Sequence, residues 1–230
     1  MTFSIVGLCS RTGQAGCALA TSSMAAGGRA PFVSPGFGVV LSQARSDPRL
    51  GALGLASLER GRSAEEALAD MRASTPHAEW RQLAVLDRHG GVASFTGSHC
   101  TVERGAAHGK GAIGIGNGLA SAVVPAAILK GFEAAPEQSL GERLLMALEY
   151  GLRAGGEAFP LRSASMKIAH PGVPFAPVDL RVDFSDTPIA ELRRLWEFWE
   201  PMRDGYVQRC MDPENSPPAS AIEGHLPVAR

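Results

Sequence analysis

Two short apolar runs near the beginning of the chain constrain its fold more than any other feature. They are FSIVGLC over residues 3–9 and GCALATS over residues 16–22, and polar residues with one glycine separate them. Two strand-length runs joined in this way predict a β-hairpin. Apolar side chains occupy both faces of each run, so neither face can be left to solvent. The sequence therefore predicts a layered fold with this hairpin inside it.

Strands and helices alternate in groups along the remaining sequence. Apolar runs between turn residues predict further strands over residues 37–44, 82–88, 91–97, 163–169 and 178–184. Helical spacing of apolar residues predicts helices over residues 50–58, 63–71, 123–134, 139–153 and 187–206. Ser63 and Ser139 each stand three residues before a glutamate, which is the capping-box pattern. For the glycine-rich residues 105–118 we predict no strand.

Neighbouring strands that form hairpins predict sheets that are largely antiparallel. Because the strands are apolar on both faces, helices must cover the outer face of each sheet. We therefore predict an α+β fold, a four-layer αββα sandwich of two mostly antiparallel sheets. No linker-like composition interrupts residues 1–210, which we expect to form one domain. Residues 211–230 are rich in proline, serine and alanine and are predicted to be a flexible tail.

Charge and hydropathy narrow the classes of partner. The net charge is −1, and no basic or acidic stretch indicates a nucleic-acid surface or a basic partner. No segment approaches the roughly 18 apolar residues of a membrane span, and the first residues lack the pattern of a signal peptide. Four cysteines without CxxC spacing indicate buried thiols rather than disulfides. We expect a cytoplasmic protein with a small-molecule substrate or ligand, and a homo-oligomer is compatible with this fold.

Thr2 is the first residue to consider for chemistry. Methionine aminopeptidases remove Met1 when a small residue follows it, and threonine is small enough. The shortened chain would begin with a residue that carries both a hydroxyl and a free α-amine. An amine with a pKa of roughly 7.7–8.0 suits general-base work, and the adjacent hydroxyl is a nucleophile. The alternative is an ordinary Thr2, since many proteins have threonine after methionine and make no use of it.

Residues 109–118 contain two glycine patterns. Residues 109–114 match GxGxxG, but no βαβ unit surrounds them, so this match to a dinucleotide site is accidental. In residues 114–118, glycines flank Asn117 on both sides. Its amide can donate a hydrogen bond to a developing oxyanion, or the Asn-Gly pair can simply form a turn.

Other polar residues allow weaker hypotheses. His99, Cys100 and His108 match no standard ligand spacing, so we predict no metal and no cofactor, and a metal-dependent hydrolase stays a distant alternative. Glu157 and Arg162 can form a polar wall of a pocket. They can equally belong to a solvated loop with one ion pair.

Several segments together resemble one known family. They are Met1–Val6, Ala18–Ser23, Leu41–Ala44, Asp47–Gly51, Arg81–Asp87, Phe95–Gly97, Gly116–Ala120, Gly155–Glu157 and Val178–Val182. They span about residues 2–195 and resemble an uncharacterised bacterial family, domain of unknown function 1028. That family is assigned to the N-terminal-nucleophile (Ntn) hydrolase superfamily.

The resemblance implies an αββα fold with an N-terminal threonine that cleaves amides by acyl transfer to water. Thr2 would be the nucleophile and Asn117 an oxyanion donor; the residues expected to bind substrate are Ser22, Ser23, Gln43, Glu157 and Arg162. Many members carry a lysine or arginine where this sequence has Ser22 or Ser23. Many also have Gly-Asp and Gln-Ser where this chain has 156–157 and 162–163. The alternative is a non-catalytic small-molecule-binding protein with the same fold.

Overall fold

Two antiparallel sheets form the centre of the protein in a computed structural model that describes residues 1–224 and 226. The larger sheet has the strand order β10-β9-β2-β1-β8-β7, and the smaller has the order β3-β4-β5-β6. The strands are β1 (Thr2–Leu8), β2 (Ala15–Thr21), β3 (Pro31–Ser34), β4 (Gly38–Ala44), β5 (Arg81–Asp87), β6 (Val92–Thr96), β7 (Gly105–Gly109), β8 (Ala112–Asn117), β9 (Ser163–Ala169) and β10 (Val178–Val182). Thus β1 lies inside the larger sheet, paired on both sides.

Helices cover the outer face of each sheet. They are α1 (Pro48–Glu59), α2 (Ala64–Ala73), α3 (Val124–Glu133), α4 (Leu140–Arg153), α5 (Pro188–Met211) and α6 (Ala219–Glu223). The first two pack on the smaller sheet, whereas α3, α4 and α5 pack on the larger one. The layers are therefore helix, sheet, sheet and helix, and the predicted αββα sandwich is confirmed.

Strand alternation in β1 explains why both of its faces had to be apolar. Phe3 and Ile5 point towards the helices and join the core under α3 and α4. Val6 points the other way and joins the core between the two sheets, with Leu41 and Ile113. Because successive residues of a strand face opposite sides, one short strand supplies both cores.

Most predicted elements are confirmed, including the first hairpin and the hairpin formed by β5 and β6. The capping box at Ser63 is also confirmed, because Ser63 Oγ accepts from the Glu66 N–H and the Glu66 carboxylate accepts from the Ser63 N–H. At Ser139 only half of the box forms. Its hydroxyl accepts from the Glu142 N–H, but the Glu142 carboxylate bonds to Arg193 instead.

Three strands were not predicted from the sequence because glycine and proline obscured them. Residues 31–34 form β3, and the glycine-rich residues 105–118 contain both strands of the β7–β8 hairpin. The glycines of this hairpin let α3 approach closely: a Cβ on Gly114 would meet the carbonyl of Pro125. Glycine inside a strand marks such a close approach, as well as marking turns. Asn117 is therefore the last residue of a central strand.

The last helices extend further along the chain than the sequence predicts. The last long helix, α5, continues to Met211, and α6 follows within the predicted tail. Ile222 of α6 is buried and lies against Gly205 of α5. Part of the predicted tail, residue 225 and residues 227–230, falls outside the described residues, and the division into a domain and a flexible tail stays a prediction. Across the described residues, no helix is both long and apolar enough to cross a membrane.

Replacing Ile113 with alanine should destabilise the sandwich. Ile113 is fully buried between the sheets, and a buried isoleucine truncated to alanine typically costs about 2–5 kcal/mol. Leu152→Ala, at a position that is 46% exposed, should change stability by no more than about 0.5 kcal/mol. Urea unfolding of both variants measures the difference. Equal losses in the two variants would contradict a core between the sheets.

Candidate active site

The layer between the sheets changes from apolar to polar at the end where β1 begins. The inward-facing residues at this end are Thr2, Ser4, Thr21, Gln43, Gln82 and Asn117, and all six are buried. They come from both sheets and continue the same alternation that places apolar residues at the other end. Each needs hydrogen-bond partners, because a buried polar group without one is costly.

Gln82 connects the buried polar residues of the two sheets. Its Oε1 accepts hydrogen bonds from Gln43 Nε2 at 2.8 Å and from Asn117 Nδ2 at 2.9 Å. Its Nε2 donates to the carbonyl of Gly116 at 2.8 Å and to Thr96 Oγ1 at 3.0 Å. The network continues through Gln43, which accepts from Ser4 Oγ at 2.6 Å. The amide of Asn117 is therefore held in one orientation.

Thr2 lies at the edge of this network and is 7% exposed. Its strand position is fixed, because Thr2 is directly opposite Asn117 of β8 and the next residue is opposite Ala20 of β2. Its hydroxyl donates to the carbonyl of Met1 and is 3.4 Å from Thr21 Oγ1. Thr21 also donates to the Met1 carbonyl, at 2.6 Å. Two hydroxyls thus converge on the peptide group that joins Met1 to Thr2.

Glu157 reaches the same place from the loop after α4. Gly118 and Gly156 have φ angles of +62° and +60°, which glycine adopts readily, and the two loops pair through a bridge between Leu119 and Glu157. Glu157 is buried, with 7% of the residue exposed, and its Oε2 accepts from the Ser22 N–H at 3.0 Å. Among the described residues, Oε1 has no hydrogen-bond partner.

Burial raises the pKa of Glu157 above its ordinary value. Hydrogen bonding from Ser22, the positive charge of the Met1 ammonium and the nearby Thr21 hydroxyl all act in the opposite direction, but they do not cancel the effect of burial. The carboxyl therefore holds a proton more readily than an exposed glutamate does. It faces the chain terminus from an enclosed position.

Met1 closes the site in this structure. Its side chain packs on Gly118, where any Cβ would collide with it. A cleft of about 440 Å³ lies away from Thr2 and surrounds Cys9 and Arg203 at the opposite end of β1. Thr2 is therefore enclosed, and the space beside it is filled by the residue that precedes it.

The other residues predicted to bind substrate occupy different places around Thr2. Ser22 and Ser23 contribute main-chain groups: the Ser23 N–H donates to Thr21 Oγ1 at 3.1 Å. Gln43 is completely buried, and its side-chain amide donates a hydrogen bond to Gln82 Oε1. Arg162 differs from the expectation, because its guanidinium pairs with Asp186 on the surface, and only its main-chain N–H reaches the site, donating to the Thr21 carbonyl at 2.7 Å.

Sequence reasoning did not identify Thr21 and Gln82 as members of the site. Thr21 is the last residue of β2 and follows Cys17 and Leu19 on the inward face, so strand alternation was the available signal. Gln82 begins the apolar run of β5, and a glutamine in that position is the only local indication of a buried polar contact. Neither signal tells which residues face them across the sandwich.

The three residues of the metal alternative have separate partners. His99 packs against Trp80 with the ring planes tilted by 48° and the ring centroids 4.5 Å apart, and Cys100 Sγ donates to the Arg81 carbonyl at 3.3 Å. His108 Nε2 is 2.7 Å from Ser94 Oγ. Within residues 1–224 and 226, no group of three His, Cys, Asp or Glu side chains is arranged to hold a metal ion.

Comparison with known proteins gives a family and a fold but no activity. The model of a family of unknown function, DUF1028, matches residues 2–192. The crystal structure of a DUF1028 protein from Silicibacter pomeroyi has a TM-score of 0.79 and 33% identity, covering 85% of this chain and 88% of that one. Anbu (ancestral beta-subunit) from Yersinia bercovieri has a TM-score of 0.39 and 14% identity over 99% of both chains. No curated protein matches the sequence significantly.

Replacing Gln82 with leucine should destabilise the protein by at least about 3 kcal/mol. The change leaves the Gly116 carbonyl and the amides of Gln43 and Asn117 without their partner, and each buried unsatisfied group costs about 1–3 kcal/mol. Gln138→Leu makes the same replacement on the surface and should change stability by no more than about 0.5 kcal/mol. Urea unfolding compares the two variants. A similar small loss in both would contradict the proposed bridging role of Gln82.

Glu157→Gln should alter the pH dependence of stability. In the folded protein the pKa of Glu157 is raised above its ordinary value of 4.5. Between pH 4.5 and the raised pKa, the folded state therefore binds more protons than the unfolded state. The free energy of unfolding of the wild type must then fall as pH rises through this range. Glutamine does not titrate, so the variant should gain stability relative to wild type as pH rises above 4.5.

Urea unfolding at a series of pH values measures this difference. The matched control is Glu103→Gln, which removes an exposed carboxylate from a neighbouring loop. A difference between wild type and Glu157→Gln that stays constant with pH, or that changes in the opposite direction, would contradict the raised pKa.

Proposed function

The chain belongs to the DUF1028 family, and we propose that its Met1-free form is an amidohydrolase with Thr2 as an N-terminal nucleophile. The observation that carries the proposal is the position of Thr2. It is the first residue of a strand paired on both sides, and its hydroxyl points into the enclosed polar end between the sheets. A catalytic terminus needs such a rigid position, because a displacement of about 1 Å can cost 10²-fold in rate.

Removal of Met1 would supply the missing base. In this structure the nitrogen of Thr2 belongs to a peptide bond and has no basicity. Without Met1 it becomes an α-amine with a pKa of roughly 7.7–8.0, next to the hydroxyl it must deprotonate. The amine accepts the proton of Oγ1 as that oxygen attacks the amide carbonyl of the substrate, and the resulting ammonium then protonates the leaving nitrogen.

Asn117 suits the role of oxyanion donor. One hydrogen of its Nδ2 is bonded to Gln82, which fixes the direction of the amide. The second hydrogen has no acceptor in the described part of the chain, and the residue directly opposite on β1 is Thr2. A fixed donor beside the attacking oxygen stabilises the negative charge that develops on the carbonyl oxygen.

The Met1-bearing form favours a second candidate function. With a peptide nitrogen at Thr2, the site has polar groups that can bind a ligand but no amine that can activate the hydroxyl. These polar groups would be sufficient for a small-molecule-binding protein with the same fold. Covalent reactivity of Thr2 separates the two candidates.

A β-lactone should label Thr2 only in the Met1-free protein. Thr2 Oγ1 attacks the lactone carbonyl, the ring C–O bond breaks, and the released alkoxide takes the proton held by the amine. The protein should therefore gain the mass of one probe, located at Thr2 by peptide mass spectrometry. Labelling should weaken as pH falls below roughly 7.7–8.0, the ordinary pKa of an α-amine.

Three controls accompany this experiment. Intact mass establishes the presence or absence of Met1, and the Met1-bearing protein should not be labelled at Thr2. Thr2→Val keeps the shape of the side chain without its hydroxyl and should also remain unlabelled there. Equal labelling of the two N-terminal forms, or labelling confined to cysteines, would overturn the enzyme proposal and favour the binding protein.

A further inference from the structure

Met1 occupies the candidate site in the manner of an aminoacyl group. Its carbonyl accepts hydrogen bonds from the hydroxyls of Thr2 and Thr21. Its side chain lies on the bare main chain of Gly118. Its ammonium forms no ion pair with Glu157 within the described residues, although its positive charge favours the ionised carboxylate. The carbonyl and the side chain of an N-terminal amino acid therefore have a place beside the nucleophile, and its ammonium acts on Glu157 through its charge.

Two buried acceptors at the site lack donors. Glu157 Oε1 and Asn117 Oδ1 have no hydrogen-bond partner among the described residues, and both residues are more than nine-tenths enclosed. Native proteins rarely leave buried oxygens unpaired unless a ligand or water completes them. A group rich in donors is needed here, and an ammonium has three N–H donors and no acceptor. A carboxylate that accepts one of them also gains from the opposite charge.

The Ser22 N–H contact indicates which oxygen is available. It engages Oε2 of Glu157 at 3.0 Å and so fixes the carboxylate while leaving Oε1 free. Among the ion pairs of the described residues, no lysine or arginine pairs with Glu157. Arg162, which is nearby in sequence, is turned towards Asp186. Oε1 of Glu157 is thus available to bind a cation from the chain terminus or from a ligand.

We infer that the substrate is an amide of an α-amino acid with a free ammonium and an unbranched apolar side chain, bound where Met1 lies. This inference rests on the proposed function and names its substrate class. Glu157 would bind the ammonium, and the surface of Gly118 would accept the side chain. Thr2 Oγ1 forms an ester with the aminoacyl carbon, the C–N bond breaks, and the amine leaves with the proton taken from Oγ1. Water then hydrolyses the ester and restores Thr2.

Ligand binding tests the ammonium site without requiring turnover. Met1-free Thr2→Val protein cannot form the ester, and calorimetry measures its affinity for L-methioninamide and for the desamino analogue of the same amide. The first should bind about 10- to 100-fold more tightly, the range expected for one buried charge-assisted hydrogen bond. Adding Glu157→Gln should remove this difference, whereas adding Glu103→Gln should leave it intact. Equal affinities for the two amides in the Glu157-bearing protein would overturn the inference.

Turnover by the Met1-free wild type completes the test. L-methionine p-nitroanilide should be hydrolysed at least about tenfold faster, by kcat/KM, than its desamino counterpart, and Glu157→Gln should remove that preference. If a β-lactone labels Thr2 but neither assay shows an ammonium preference, the inference fails and the proposed function stands. If L-methioninamide is preferred in binding but Thr2 is never labelled, the proposed function fails and the protein is a binder of amino acid amides.

Discussion

Gln82 uses all four hydrogen-bonding positions of its side-chain amide inside the sandwich. Two donors serve the Gly116 carbonyl and Thr96, and two acceptor positions receive Gln43 and Asn117. A fully satisfied amide can be enclosed without the penalty that an unpaired one would carry. The polar end between the sheets therefore stays closed and ordered, which lets a strand begin with Thr2 there.

The position of Thr2 follows from pairing on both sides of β1. Six consecutive residues of β1 face β8 and six face β2 in continuous registers. A slip by one residue would turn Phe3 into the polar layer and Thr2 towards the helices, so the apolar cores on both faces oppose it. The same residues that stabilise the fold thus hold the candidate nucleophile in place. Stability and chemistry have a common structural origin at this strand.

The sequence predicted those features that depend on local alternation and residue type. The β1–β2 and β5–β6 hairpins, the Ser63 capping box and the four layers could be predicted because each leaves a short periodic signal. Thr2 and Asn117 were identified by their chemistry, and the strand pairing places them opposite each other. Gln82 contacts Asn117 across the sandwich, and Thr21 contacts Thr2 from the neighbouring strand of the same sheet. No local pattern in the sequence indicates either contact. Arg162 is predicted to line the pocket, but Asp186, 24 positions later, gives its guanidinium a partner at the surface.

The enclosure of Met1 has a practical consequence for preparing this protein. An affinity tag fused ahead of Met1 would block aminopeptidase trimming and keep the nitrogen of Thr2 in a peptide bond. It would also extend a chain end that is already packed on Gly118 between two paired loops. The second half of α5 contributes Arg203 and Val207 to the cleft around Cys9, at the far end of β1. Purification tags should therefore follow α5, and an inactive N-terminally tagged sample would not test the proposed function.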